Sequence, residues 1–236
     1  MDRDLFRKNR RNVVNSGCVG CDQKRLCWIR GLINAKMQLL ALLLGSALLT
    51  ACAGGASDTS SIFTGAFLDS AVEGLHYRTE TQSGVTAADG SFSYMEGETV
   101  HFSIGDVQLG QGTARPYMTP VDLVPGALDE TDPAVTNMAR MLQTMDADGN
   151  PDNGILIPEE MIEQMQGLDI DFGMDPSRFQ NDDQVMMLMD ALDRMGGDYL
   201  GRAMVSVEQA RDHMGNTLMD MEDMMMDDMP GRDGMM

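Results

Sequence analysis

The sequence predicts an α+β fold, a small antiparallel β-sandwich over residues 62–125 followed by a helical region over 131–218 that contains a helix–loop–helix. Two observations carry this reading. Between 62 and 112, short apolar or alternating runs are punctuated by glycines, the pattern of short strands joined by turns. Beyond 131, apolar residues recur at three- and four-residue steps, the period of a helix with one buried face.

The strand candidates are Ile62 and Phe63, Ala66 to Leu68, Val72, Leu75 to Tyr77, Phe92 to Tyr94, Val100 to Ile104 and Val107 to Leu109. Glycines at 65, 74, 84, 90, 97, 105 and 110 fall between or within them. Asp89-Gly90, between Val85-Thr86 and Phe92, predicts a hairpin turn, because glycine accepts the positive φ that such turns need. The stretch from Gly84 to Tyr94 has Thr86, Gly90 and Phe92 in the T-x-x-x-G-x-F spacing.

Asp132-Pro133 supplies an N-cap and a first-turn proline for a helix striped by Val135, Met138, Met141, Leu142 and Met145. Further stripes run through Met161, Ile162 and Met165, and through Val185, Leu188, Met189, Leu192 and Met195 before Gly196-Gly197. A fourth, through Val207, Ala210, Met214 and Leu218, follows a capping box from Ser206 to Gln209. Methionine takes many core positions, where its unbranched thioether adapts to irregular gaps. Residues 219–236 interleave acids with methionines and are expected to be disordered.

The segment from Asp148 to Glu159 lies between two of these helices and is EF-hand-like. Asp148, Asn150 and Asp152 stand at positions 1, 3 and 5, Ile155 at 8 and Glu159 at 12. This spacing wraps oxygen donors round a Ca2+ ion, with the last glutamate closing the shell, and Asp146 can join it. Asn153 stands where glycine normally makes the sharp turn, and asparagine tolerates the left-handed conformation. No second loop pairs with this one. The alternative is a polar helix-to-helix turn built on Asp-Gly and Asn-Gly.

Residues 1–36 hold nine Lys/Arg against three Asp/Glu, leaving 17 − 9 = 8 cations and 37 − 3 = 34 acids for the remainder, a net −26. Phosphate backbones would be repelled, so nucleic acid is excluded as a partner, and cations or cationic partners fit better. Acidity of this kind also suits a salty medium. Cys18, Cys21, Cys27 and Cys52 all lie in the first 52 residues, so disulfides cannot hold the rest together. His76, His101 and His213 lie in no nucleophile or zinc spacing, and no catalytic residues are assigned; the protein is expected not to be an enzyme. Met-x-x-Met pairs in the tail, with His213 upstream, suit copper(I), but their acidic neighbours suit hard cations and compositional bias explains them as well.

Lys36 precedes an apolar block at 38–49, too short to cross a bilayer comfortably, which ends in Leu49-Thr50-Ala51-Cys52. This resembles the lipobox of bacterial lipoproteins. The resemblance implies a signal peptide at 37–51, cleavage before Cys52, and acylation of Cys52 with palmitate-type chains, of which two or three suffice for stable anchoring. Translation is expected to begin at Met37, leaving 1–36 as a non-native or disordered extension. Residues 52–61 have the Gly/Ser-rich composition of a flexible tether. Ala53, a non-acidic residue after the cysteine, implies by the same resemblance passage to the outer membrane.

The stretch from Gly84 to Tyr94 resembles the signature of prealbumin-like and carboxypeptidase-regulatory-like sandwiches, modules that serve as spacers or adhesive domains. Together with Gly65 to Tyr77, Gly97 to Gly105, Thr119 to Val124, Asn137 to Ile155 and Ala210 to Leu218, it looks like a widespread, poorly characterised group of bacterial lipoproteins. Some relatives there carry the label organic solvent ABC transporter permease. Nothing after Cys52 offers an apolar run long enough for a permease. The resemblance implies a membrane-anchored cell-envelope lipoprotein that acts as a non-catalytic binding or structural module, alone or with other envelope proteins. The alternative is an accessory or substrate-binding component of an envelope transport system for solvents or lipids, marked by an apolar pocket between sheet and helices.

Overall fold

Among the described residues, the glycine-punctuated stretch makes eight short strands, β1 (Ile62–Phe67), β2 (Val72–Glu73), β3 (His76–Arg78), β4 (Ser83–Val85), β5 (Ser91–Met95), β6 (Thr99–Ile104), β7 (Val107–Thr113) and β8 (Tyr117–Met118), and a ninth, β9 (Ile155–Leu156), follows later in the chain. The computed structural model describes residues 61–227. The signal segment, the four cysteines including Cys52, and the tether up to residue 60 lie outside the described residues.

Strands β5, β1 and β8 form one sheet and β4, β3, β6 and β7 another, with β2 and β9 paired separately. Neighbours are antiparallel except β1 with β8 and β2 with β9. The two larger sheets meet through aromatic side chains. The ring of Phe102 on β6 lies 4.7 Å from that of Phe67 on β1 and 5.2 Å, edge-on, from that of Phe92 on β5.

The turn at Asp89-Gly90 forms, with Gly90 at φ 73° and its N–H donating to Ala87 O at 2.8 Å. It does not make a hairpin of the strands beside it. β4 pairs with β3 while β5 pairs with β1, so the chain changes sheet across this turn. Gly90 lies so close under the Phe67 carbonyl that the crossing strands leave no room for a side chain.

The helices are α1 (Pro120–Leu123), α2 (Pro133–Met145), α3 (Glu159–Gln164), α4 (Pro176–Phe179), α5 (Asp183–Met195) and α6 (Val207–Asp227). Asp132 caps α2 by accepting from Ala134 N–H, and Asp182 caps α5 by accepting from Gln184 N–H. The Ser206 hydroxyl accepts from Gln209 N–H at 3.2 Å while the Gln209 side chain receives Ser206 N–H, a reciprocal cap for α6.

Helix α2 is the centre of the molecule, with every residue from Val135 to Met145 buried. Met138, Met141, Leu142 and Met145 share one apolar cluster with Phe67 and Phe102 of the sheets and with Leu188 of α5. Each such side chain contributes about 1.5–3 kcal/mol by leaving water. The segments expected as a sheet domain and a helical region therefore share one core among the described residues.

The donors on the polar side of α2 are used internally, although Asn137 Oδ1 is buried without a partner. Asn137 donates to Phe172 O and Met174 O, and Arg140 donates to Val205 O, Pro176 O and Gln180 Oε1. Helix α6 packs on α2 through Ala139, Ala210 and Met214, then runs past Met219 to Asp227, where disorder was expected from 219. Methionine and glutamate are good helix formers, and no breaker occurs before Pro230-Gly231. Met219 and Met224 to Met226 are exposed on this extension.

Candidate functional site

The loop after α2 begins where the helix leaves its last carbonyls without partners. Arg202 fills that role: its guanidinium donates to the carbonyls of Thr144, Asp146 and Ala147, and it stacks 4.5 Å above the Tyr199 ring. Tyr199 Oη donates to Met145 O at 3.1 Å. Asp146 and Ala147 then clasp the returning strand, with Leu156 N–H donating to Asp146 Oδ1 at 3.0 Å and Ala147 N–H to Leu156 O at 2.9 Å. On its other edge that strand is joined to β2, through Ile155 N–H to Ala71 O and Ile157 N–H to Glu73 O.

Within the loop, Asn150 N–H donates to Asp148 Oδ1 and Asn153 Nδ2 to Asp148 Oδ2, both at 2.9 Å. Positive φ occurs at Gly149 (73°) and Gly154 (106°), and Asn153 is not left-handed as the EF-hand alignment expects. It ends a 3-10 turn, Pro151–Asn153, which Pro151 starts by fixing φ near the helical value.

The four expected ligands part company here. Asp148 and the Asn150 backbone stay together, and the Asn150 side chain is exposed. Asp152 turns away, its Oδ1 lying 3.3 Å from His213 Nδ1 on α6. Glu159 opens α3 as an exposed first-turn acid. Among the described residues, no three Asp, Glu, His or Cys side chains are grouped as a metal-holding set.

What the loop does assemble is a carboxylate corner. Asp146 is 1% exposed, no N–H reaches its Oδ2, and its carboxyl lies within hydrogen-bonding reach of the Asp148 carboxyl, with which it can share a proton. Burial pushes its carboxyl above the ordinary value; the Leu156 amide opposes that rise and the adjacent Asp148 carboxylate adds to it. Asp148 is held below its ordinary value, chiefly by the Asn153 amide and then by Asn150 N–H. Both acids, with Glu73, Ala71, Ala88 and Leu156, line a cavity of about 340 Å³. The donor set is oxygen alone, the chemistry of a hard cation such as Ca2+.

Beside this corner lies a buried polar network that has no local signal in the sequence. Asp69, fully buried in the β1–β2 turn, receives both Oδ contacts from Gln143 Nε2 at 3.1 and 3.2 Å. Burial pushes the Asp69 carboxyl up to about 7, opposed by nearby His213 and by the Gln143 hydrogen bond. His213 Nε2 is 3.1 Å from Ser70 Oγ and 3.8 Å from Asp69 Oδ1. Ser70 has φ 55°, held there by its N–H donating to Thr217 Oγ1 at 3.1 Å. With Nε2 facing Ser70 and Asp69 and Nδ1 facing Asp152, His213 joins α6 to the β1–β2 turn and to the loop after α2.

A comparison of the chain with protein-family models, with curated proteins and with solved structures found no match. Among the described residues, no helix is long and apolar enough to cross a membrane.

Proposed function

We propose that this chain is a lipid-anchored cell-envelope protein, acylated at Cys52, whose folded part is a non-catalytic binding or structural module that takes Ca2+ at the corner formed by Asp146 and Asp148. The observation that carries the cation reading is the buried Asp146 Oδ2 that no N–H reaches, beside the Asp148 carboxylate on a cavity that Glu73 also lines. A buried carboxylate in that position needs a proton or a cation to offset its desolvation. Calcium would supply that positive charge and would tie α2 to β9 and β2. Asp148 and Asn150 remain in the proposed ligand set, while Asp152 and Glu159 join only if they leave their present places.

The anchor rests on Leu49-Thr50-Ala51-Cys52 and the apolar block before it. Attachment to the outer membrane rests on Ala53 and the lipoprotein resemblance. Between the sheets and α2 the space is occupied by Phe67, Phe102, Met118, Met141 and Met145, so the transport-accessory alternative has only the resemblance behind it.

Thermal melting and calorimetry of the full chain with millimolar calcium test the site. A saturable rise in melting temperature that is lost in Asp146→Asn and in Asp148→Asn is the expected result; no heat and no shift would sink it. Intact-mass measurement of the membrane fraction tests the anchor, which fails if Cys52→Ala is processed and retained like the wild type.

A further inference from the structure

The outer face of the four-stranded sheet departs from the charge of the rest of the chain. With 37 acids against 17 Lys/Arg, a solvent-facing patch drawn from this composition would carry about two acids for each base. This face carries none. The alternation that turns Val100, Phe102 and Ile104 into the core turns His101 and Ser103 outward on β6, and His76 and Arg78 outward on β3. Register then brings them together: His76 stands opposite Ser103, Arg78 opposite both His101 and Ser83, and Ser103 opposite Gln108.

These six residues line a shallow cavity of about 530 Å³, with no Asp or Glu in its lining. The acids on the bounding turns are committed elsewhere. Glu80 Oε2 accepts from Thr99 N–H at 3.2 Å, and Asp106 Oδ2 accepts from Gly167 N–H at 2.8 Å. Among the described residues, the side chains of His76, Arg78 and His101 have neither a hydrogen bond nor an ion pair. A guanidinium fork, two imidazoles and two hydroxyls thus stand together unpaired, while the Gln108 amide gives one N–H to Asp106 O at 3.4 Å and keeps the other.

The geometry points to a binding site on this face for a phosphate group carried by a small soluble molecule. Tetrahedral phosphate offers several acceptor oxygens, which Arg78 engages through its planar fork while Ser83, Ser103 and Gln108 reach the remainder. An extended polyanion or an anionic membrane would meet the field of the whole chain, net −20, whereas a single small group sits inside this cavity. The site stands apart from the Asp146 corner and does not depend on calcium.

The histidines supply a built-in control. In the full chain with labelled imidazoles, at fixed pH, inorganic phosphate is expected to move the His76 and His101 signals saturably and leave His213 still, with no such change in chloride of equal ionic strength. Arg78→Gln, an exposed position, keeps the wild-type melting temperature and weakens phosphate binding about tenfold or more. Absent saturation at millimolar phosphate, movement of all three rings together, or undiminished binding in Arg78→Gln would overturn the proposal. Phosphatidylglycerol vesicles that retain the wild type but not Arg78→Gln, with no competition from phosphate, would overturn the small ligand in favour of a membrane surface.

Discussion

His213 Nδ1 stands 3.3 Å from Asp152 Oδ1, so a residue in the position of a calcium ligand is engaged by the C-terminal helix α6. The Asp152 side chain is 85% exposed, and an ion pair in that setting adds little to stability. Asp152→Ala is therefore expected to change the melting temperature only slightly. It also separates two ligand sets. If calcium sits at Asp146 and Asp148, both Asp152→Ala and Glu159→Gln keep most of the calcium-induced shift in melting temperature, whereas a closed EF-hand shell loses the shift in Glu159→Gln.

Asp69 makes stability depend on pH. Its carboxyl is pushed from 3.8 to about 7 by burial, so between those values the folded chain holds a proton that the unfolded chain releases. The stabilisation is fully present below about pH 4 and is lost as pH rises through about 7. Asp69→Asn should remove this slope, so that its melting temperature exceeds the wild type's at pH 8 and the difference shrinks towards pH 5. Parallel slopes for the two proteins would refute the assignment.

Arg140 is 1% exposed and donates to Val205 O, Pro176 O and Gln180 Oε1. Arg140→Met keeps much of the volume but takes the donor from two half-buried carbonyls, Val205 O and Pro176 O, and from the exposed Gln180 side chain. A loss of about 1–3 kcal/mol is expected in urea unfolding. Arg140→Lys recovers only part, because an ammonium cannot span the three acceptors as the planar fork does.

Two glycines of similar conformation should respond differently to alanine. Gly90 (φ 73°) would place a Cβ 2.5 Å from the Phe67 carbonyl oxygen, whereas Gly97 (φ 86°) has nothing within 4 Å. Gly97→Ala is expected to cost only the left-handed penalty of about 1–2 kcal/mol. Gly90→Ala adds a backbone collision and should cost more, as read from the shift in urea midpoint.

Helices α2, α5 and α6 were legible because each states its own period and one of its ends: Asp132-Pro133 for α2, Gly196-Gly197 for α5, and the Ser206–Gln209 pair for α6. β8 and β9 were not. Each spans two residues and is defined by a parallel partner far away in the chain, so neither has an alternation to read. The same reason hid the change of sheet at Gly90, since a turn sequence fixes local dihedral angles but not the strand to which its arms bond.

Only part of the loop was legible. Oxygen-bearing residues at alternate positions mark Asp146 and Asp148, and the alignment on Glu159 rested on spacing alone. Pro151 redirects the backbone, and His213, sixty-one positions on from Asp152, draws that acid aside. The Asp69 network joins a turn, α2 and α6, and no window of sequence contains more than one of its parts.

The pairing of Val72 with Ile155 and of Glu73 with Leu156 sets an order on assembly. A nascent chain that has emerged only as far as the end of β8 holds an open rung at β2 and lacks α2, the covering for Phe67 and Phe102. Completion of the amino-terminal half thus awaits material from beyond position 155, a distant loop closure that slows folding and exposes a sticky intermediate meanwhile. Fragments ending near 125 should self-associate, whereas those reaching α5 should remain dispersed.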